Sequence, residues 1–275
     1  MNGIPSAALK HCLSNNYKLG LKKVVVRGLL CLTLYMIMST NKAQITPHFL
    51  EKLSIDFLKN TRRGLDSKSF LTDLSRDGID TALMNLQDEN AKATIWINLY
   101  NAYVIELLNL NKSLYDHRSK FFKTKQIKIG KRILSLNDIE HGLLRKSSIW
   151  WSQGYLTKPF PSSWEKSARI RQLDWRIHFA LNCGAISCPP IAAYNSLLLD
   201  QQLHLATKNY LQQCSINTTK EEIWIPKLFF WYKGDFGGKK GIMKILREYK
   251  LIDDSHKNYK LRYLDYDWTL TSLRE

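Results

Sequence analysis

The sequence predicts an α+β fold, a mostly helical single domain with a small, mainly antiparallel sheet. Three observations carry this reading. A long run from about Asn90 to Leu110 is apolar on nearly every helical face, as a central buried helix must be. Stretches with helical apolar spacing flank it on both sides. The β signal is confined to short runs near Gly130-Lys131, Arg176–Asn182 and Ile223–Pro226.

The bulk composition fits such a domain. The chain has 275 residues, of which 44% are hydrophobic and 24% charged, a globular balance. Its formal net charge is +17. Residues 1–43 contribute Lys10, Lys18, Lys22, Lys23, Arg27 and Lys42 and no acid, which leaves +11 on the rest. The richest basic patch, Lys120 to Lys131, alternates with apolar residues and reads as a solvated face, so no nucleic-acid partner is expected.

The first 43 residues read as an export signal. Lys22, Lys23 and Arg27 precede an apolar run from Leu29 to Met38, and Ser39 to Lys42 lead to Ala43, a suitable residue before a cleavage site. The run is about ten residues, short for a bilayer span. The organisation expected is therefore a signal over 1–43, a helical lead-in over 44–89 and a globular domain over 90–275. Export to the periplasm or the cell exterior follows, with no stable membrane span once the signal is removed; an N-terminal membrane anchor is the alternative.

Along the exported part, Phe49, Leu53, Phe57 and Leu58 recur at helical spacing, and Phe70, Leu71 and Leu74 mark a second short helix. Asn98 and Asn101 lie three apart on one face of the central helix. Asn is costly to bury unpaired, so both must be hydrogen-bonded, in a structural network or at a binding site. Ile127 and Ile129 before Gly130-Lys131 predict a hairpin. Ser135-Leu-Asn-Asp138 predicts a capping box opening a helix to about Lys146, with Asp138, His141 and Arg145 on one face. Residues 147–172 carry Gly154, Pro159, Pro161 and three Trp, and read as a loop that forms either a substrate wall or a self-packed segment. Arg176 to Asn182 alternates, with Ile177, Phe179 and Leu181 opposite His178, Ala180 and Asn182, and predicts a strand. Helices are expected over Leu197 to Gln213, Phe229 to Phe236 and Ile242 to Tyr249, with a short strand at Ile223–Pro226. The aromatic tail from Tyr263 to Leu270 should be extended and docked.

The chemistry concentrates in Arg176-Ile-His-Phe-Ala-Leu-Asn-Cys-Gly-Ala-Ile-Ser-Cys-Pro-Pro190. Imidazole and thiol are the side chains most used for nucleophilic chemistry near neutral pH. Along a straight strand His178 and Cys183 would stand roughly 16 Å apart. Cys188 returns toward His178 only if Gly184–Ser187 turns back, so Cys188 is the expected nucleophile, with His178 or His141 as base. Asn98, Asn101, Arg145 and Cys183 are the expected binding residues around it. In an oxidising compartment a Cys183–Cys188 disulfide is the competing reading; so small a loop would gain roughly 2 kcal/mol. The spacing of His178, Cys183 and Cys188 matches no common structural zinc pattern, and no metal or other cofactor is expected.

Several blocks together resemble one family. They are Trp96-Ile-Asn-Leu-Tyr-Asn-Ala102, Leu134-Ser-Leu-Asn-Asp-Ile-Glu-His141, Arg176 to Pro190, Phe229-Phe-Trp-Tyr-Lys-Gly-Asp-Phe-Gly237 and Tyr266-Asp-Trp268. In this order they resemble the domain-of-unknown-function 547 family across about residues 90–270. That resemblance implies no particular activity. A looser similarity is to papain-like and transglutaminase-like folds, in which a nucleophilic Cys opens a central helix and a His lies on a following strand. The central helix here has Asn98 and Asn101 and no Cys, so the thiol would have to come from Cys183 or Cys188. Two functions follow from these residues. One is a Cys/His-dependent hydrolase or acyltransferase acting on peptide or amide bonds. The other is a non-catalytic module that binds a small molecule or peptide, with Cys183 and Cys188 joined as a structural disulfide.

Overall fold

The computed structural model describes residues 45–273, and the expected export signal lies outside the described residues. The architecture is α+β and mostly helical, with one two-stranded and one three-stranded sheet. Helix α1 (Pro47–Arg62) begins at Thr46, whose hydroxyl accepts from Phe49 N–H at 3.1 Å. Short helices α2 (Lys68–Leu74) and α3 (Ile79–Asn85) follow. Helix α4 (Glu89–Leu110) is the predicted central helix, capped by the Asp88 carboxylate and buried on all sides from Ala91 to Ile105. Leu50, Leu53, Phe57 and Leu58 of α1 share one hydrophobic core with Ile95, Trp96, Leu99 and Val104 of α4. The lead-in helix is thereby part of the same packing unit as the central helix.

After a 3-10 turn (Lys112–His117) and α5 (Arg118–Lys123), strands β1 (Ile127–Ile129) and β2 (Arg132–Leu134) form the hairpin expected around Gly130-Lys131. The Ser135 capping box is present. Asp138 N–H donates to Ser135 Oγ at 3.0 Å, and Ser135 N–H donates to the Asp138 carboxylate at 2.9 Å. The helix it opens winds as a π-helix over Asp138–Leu144, a geometry frequent at functional sites. Helix α6 (Ser163–Ala168) closes the Trp-rich loop.

The strand predicted at Arg176–Asn182 does not form; Trp175–Phe179 is a 3-10 helix capped by the Asp174 carboxylate. Ile177 through Asn182 are all buried, on both sides of the expected alternation. A fully buried run of this length gives the same apolar pattern as strand or as helical turn, and the Asp174 cap decides for the turn. Ile177 enters the α4 core, whereas Phe179 enters a second core with Phe229, Phe236 and Leu246. His178 lies between them.

The second core is built from α7 (Leu199–Leu211), β4 (Glu222–Ile225), α8 (Leu228–Trp231), α9 (Gly238–Glu248) and β5 (Lys260–Tyr263), while β3 (Ser215–Asn217) is the exposed edge strand beside β4. β3 and β4 are antiparallel, with Ile216 opposite Ile223, and β4 pairs parallel to β5, with Ile223 opposite Leu261. A parallel neighbour needs a long crossover, which α8 and α9 supply. The tail then docks as expected. Ile186 N–H donates to Thr269 O, and Thr271 N–H donates to Gly184 O, both at 2.9 Å.

Candidate functional site

The turn after the 3-10 helix places the two thiols together. Gly184 has φ +96°, and a Cβ there would stand 3.1 Å from the Tyr115 ring and 3.2 Å from Leu108 and Leu270, so this corner requires glycine. Folding back over Gly184–Ser187 brings Cys188 Sγ to 3.0 Å from Cys183 N–H, which donates to it. The docked tail adds Tyr266, whose hydroxyl lies 3.3 Å from Cys183 Sγ and 3.1 Å from Cys188 Sγ. Both thiols are free and half-buried.

This environment separates the two thiols. Burial alone would raise Cys188, but the Cys183 thiol, the Tyr266 hydroxyl and the backbone at Cys183 and Ala185 outweigh it, and its pKa falls to about 7. Cys183 is pushed well up because its S–H is held by Cys188 and because it is buried. Cys214 lies apart from this pair, and burial raises it to about 12.

A buried polar cluster adjoins the thiols. Asp235 Oδ2 accepts from Arg145 Nε at 2.6 Å and from His178 Nε2 at 2.8 Å. Burial pushes the Asp235 carboxyl up, but His178 and Arg145 outweigh it and hold it below its usual range. Burial also lowers His178, so its ring is neutral, with the proton on Nε2 facing Asp235 and the lone pair on Nδ1. Arg145 Nη1 lies 2.8 Å from His141 Nδ1. A guanidinium only donates, so His141 Nδ1 accepts and its proton is on Nε2. Burial and the neighbouring Arg145 lower His141 as well. Tyr232 stacks on His178 at 3.8 Å between ring centroids, and Arg145 lies over the Tyr232 ring at 4.7 Å. Glu140 accepts from the Tyr232 hydroxyl at 2.8 Å and from the Tyr100 hydroxyl at 3.2 Å. The Trp-rich loop holds the Asp235 turn: Gly234 N–H donates to Gln153 O at 2.7 Å, and Gly154 packs so tightly on Asp235 that no Cβ fits.

A pocket of about 160 Å³ joins these groups, and Glu140, His141, His178, Cys183, Cys188 and Tyr266 all line it. A wider groove of about 510 Å³ shares His141, Trp231, Tyr232 and Trp268 with it. Trp150 and Trp151 of the Trp-rich loop form its outer wall, with Arg118 and Lys123 at the rim. Trp164 of the same region is instead buried, donating to Asp80 O at 3.1 Å. The loop thus supplies both a wall and a self-packed anchor.

Of the residues expected at the site, Cys183, Cys188, His141 and His178 line the pocket, and Arg145 stands behind His141 and His178. Asn98 and Asn101 are elsewhere. Asn98 donates to Tyr194 O at 3.0 Å and accepts from Tyr194 N–H at 2.9 Å. Asn101 donates to Ala180 O and accepts from Asn182 N–H, both at 2.9 Å, so it anchors the turn that carries the thiols without reaching the pocket. Asp138 is spent on its cap. Glu140, Tyr232, Asp235 and Tyr266 were not singled out from the sequence. Each sits inside a block quoted for the family resemblance, and a polar residue within those aromatic blocks was the available signal.

Fold and site define a mostly helical α+β domain with a thiol pair beside a histidine–carboxylate cluster. Residues 83–211 match the family model described as a protein of unknown function, DUF547. The matched segment contains Glu140, His141, Arg145, His178 and both thiols, while Tyr232, Asp235 and Tyr266 follow it in the chain. No curated protein and no solved structure gave a match to the chain. Among the described residues, no helix is long and apolar enough to cross a membrane.

Proposed function

We propose that this protein is an exported thiol hydrolase or acyltransferase that acts on peptide or amide bonds through Cys188. One observation carries the reading: Cys188, held near pKa 7 by surrounding donors, shares a pocket with a histidine whose far nitrogen is fixed by a buried carboxylate. Cys188 Sγ attacks the acyl carbon and forms a thioester. His178 Nδ1 takes a proton at the attack and returns it to the leaving amine, with Asp235 holding the tautomer. His141 has a different part from the base expected of it. Its one lone pair is engaged by Arg145, so it offers Nε2–H to the developing oxyanion. Export rests on the basic-then-apolar N-terminal segment, and the mass of the protein recovered outside the cytoplasm tests it.

Burst release from an activated acyl ester, with the acyl group mapped by mass spectrometry, tests the chemistry. Cys188→Ala should lose the burst and lower turnover by about 10³-fold. An acyl group found on another residue, or full turnover by the variant, overturns the reading. The aromatic groove opening onto the thiols favours a second reading, a ligand- or peptide-binding domain without turnover. Peptide binding that survives thiol alkylation, with no burst, would select it.

A further inference from the structure

Two thiols on one hydroxyl are more than acyl transfer needs. Acyl transfer uses one sulfur, yet Cys183 lines the same pocket, hydrogen-bonds Cys188 and shares the Tyr266 hydroxyl with it. A purely structural bridge would have no reason to face a cavity that opens onto an aromatic groove with a cationic rim.

We propose that Cys183 and Cys188 form a thiol–disulfide exchange couple, in which Cys188 attacks a disulfide admitted through the pocket and Cys183 resolves the product. The order follows from hydrogen-bond direction. Cys188 Sγ accepts from the Cys183 amide at 3.0 Å and lies 3.1 Å from the Tyr266 hydroxyl, so negative charge is best held there. Cys183 keeps its proton until Cys188 has reacted. The Cys188 thiolate attacks one sulfur of RS–SR. The S–S bond breaks, one RS⁻ leaves and takes up the proton that Cys188 had released, and the second sulfur stays bound to Cys188. The negative charge on Cys188 is then gone, and with it the acceptor that held the Cys183 proton. Cys183 deprotonates and attacks Cys188 Sγ, which expels the second RS⁻; that thiolate takes the Cys183 proton. Two electrons pass from the thiol pair to RS–SR, which ends as two RSH, while the pair ends as one disulfide.

The shared Tyr266 hydroxyl gives the couple an optical readout. Trp231 and Trp268 lie 4.8 Å and 4.7 Å from the Tyr266 ring, so the state of the thiols is sensed by two indoles. Unlike the acyl chemistry, the exchange requires no histidine, so the two activities are separable.

The test equilibrates the protein with mixtures of reduced and oxidised glutathione and reads intact mass, peptide maps and tryptophan fluorescence. The wild type should close to an internal Cys183–Cys188 disulfide, retain no glutathione and reopen reversibly. Cys183→Ser should accumulate glutathione on Cys188. Cys188→Ser should react at least about tenfold more slowly, because the thiol that accepts the Cys183 amide is gone and burial still raises the Cys183 thiol. Cys214→Ser should behave as wild type. Stable glutathione on the wild type, primary attack by Cys183, or an internal bond that does not reopen under reducing mixtures would each overturn the couple. An acyl burst without closure removes the couple and leaves the proposed hydrolase standing; closure without a burst does the reverse.

Discussion

Asn98 and Asn101 on α4, compared with Cys183 and Cys188 on the turn nearby, show two ways of placing polar groups against an apolar core. Each asparagine is wholly buried, and each amide uses both its oxygen and its nitrogen on distant backbone. Both ends of each amide are engaged, and the gain is fixed geometry. The thiols are half-buried, share a single hydroxyl, and face a cavity. There the donors exceed what neutral thiols need, and the surplus lowers the pKa of one sulfur. A buried polar group paired at both ends stabilises a fold, whereas a partly exposed group with excess donors is made reactive.

The largest break in this comparison is expected at Asp235. Its Oδ2 oxygen holds both Arg145 and His178. Asp235→Asn leaves the Arg145 charge buried and unpaired, and should cost about 3–5 kcal/mol in chemical denaturation. An unchanged midpoint would mean that the cluster is solvated. Asn101→Ala comes next. It strands Ala180 O and Asn182 N–H, and should destabilise by about 2–3 kcal/mol while the folded fraction still alkylates Cys188 at the wild-type rate. Loss of thiol reactivity at low denaturant would instead join the two regions into one functional unit.

The pH dependence of the thermal midpoint is expected to be smaller. Burial lowers His141 and His178 from 6.5 in the folded state, so the unfolded chain binds more protons below that value and stability falls as pH drops from 7 to 5. Glu140 and Asp235 are lowered from 4.5 and 3.8, so what they contribute is present above those values and is lost on further acidification. A flat profile between pH 7 and 5 would place charged histidines in the folded state. The smallest effect is at Tyr266→Phe, which removes one donor from Cys188 and should slow its alkylation at pH 7 by about three- to tenfold, with the alkylation midpoint moving up.

The elements legible in the sequence were those with local causes. The α4 run, the hairpin at Gly130-Lys131 and the Ser135–Asp138 box each form from contacts within a few residues. The turn at His178 was misread because burial on both sides removes the difference between period 2 and a helical turn. The site was half legible. Histidine and thiol advertise their chemistry by residue type, but their partners are 57 and 78 positions away, at Asp235 and Tyr266. Only the folded chain reveals that Asp235 fixes one tautomer and that Arg145 fixes the other.

The tail carries a consequence for how reactivity is metered. Tyr266 reaches the sulfurs only while Ile186 and Thr271 hold their backbone pairings to the neighbouring segments and β5 stays zipped to β4. Undocking this segment would withdraw a hydroxyl from Cys188. The labelling rate of Cys188 is therefore expected to report whether the tail is docked.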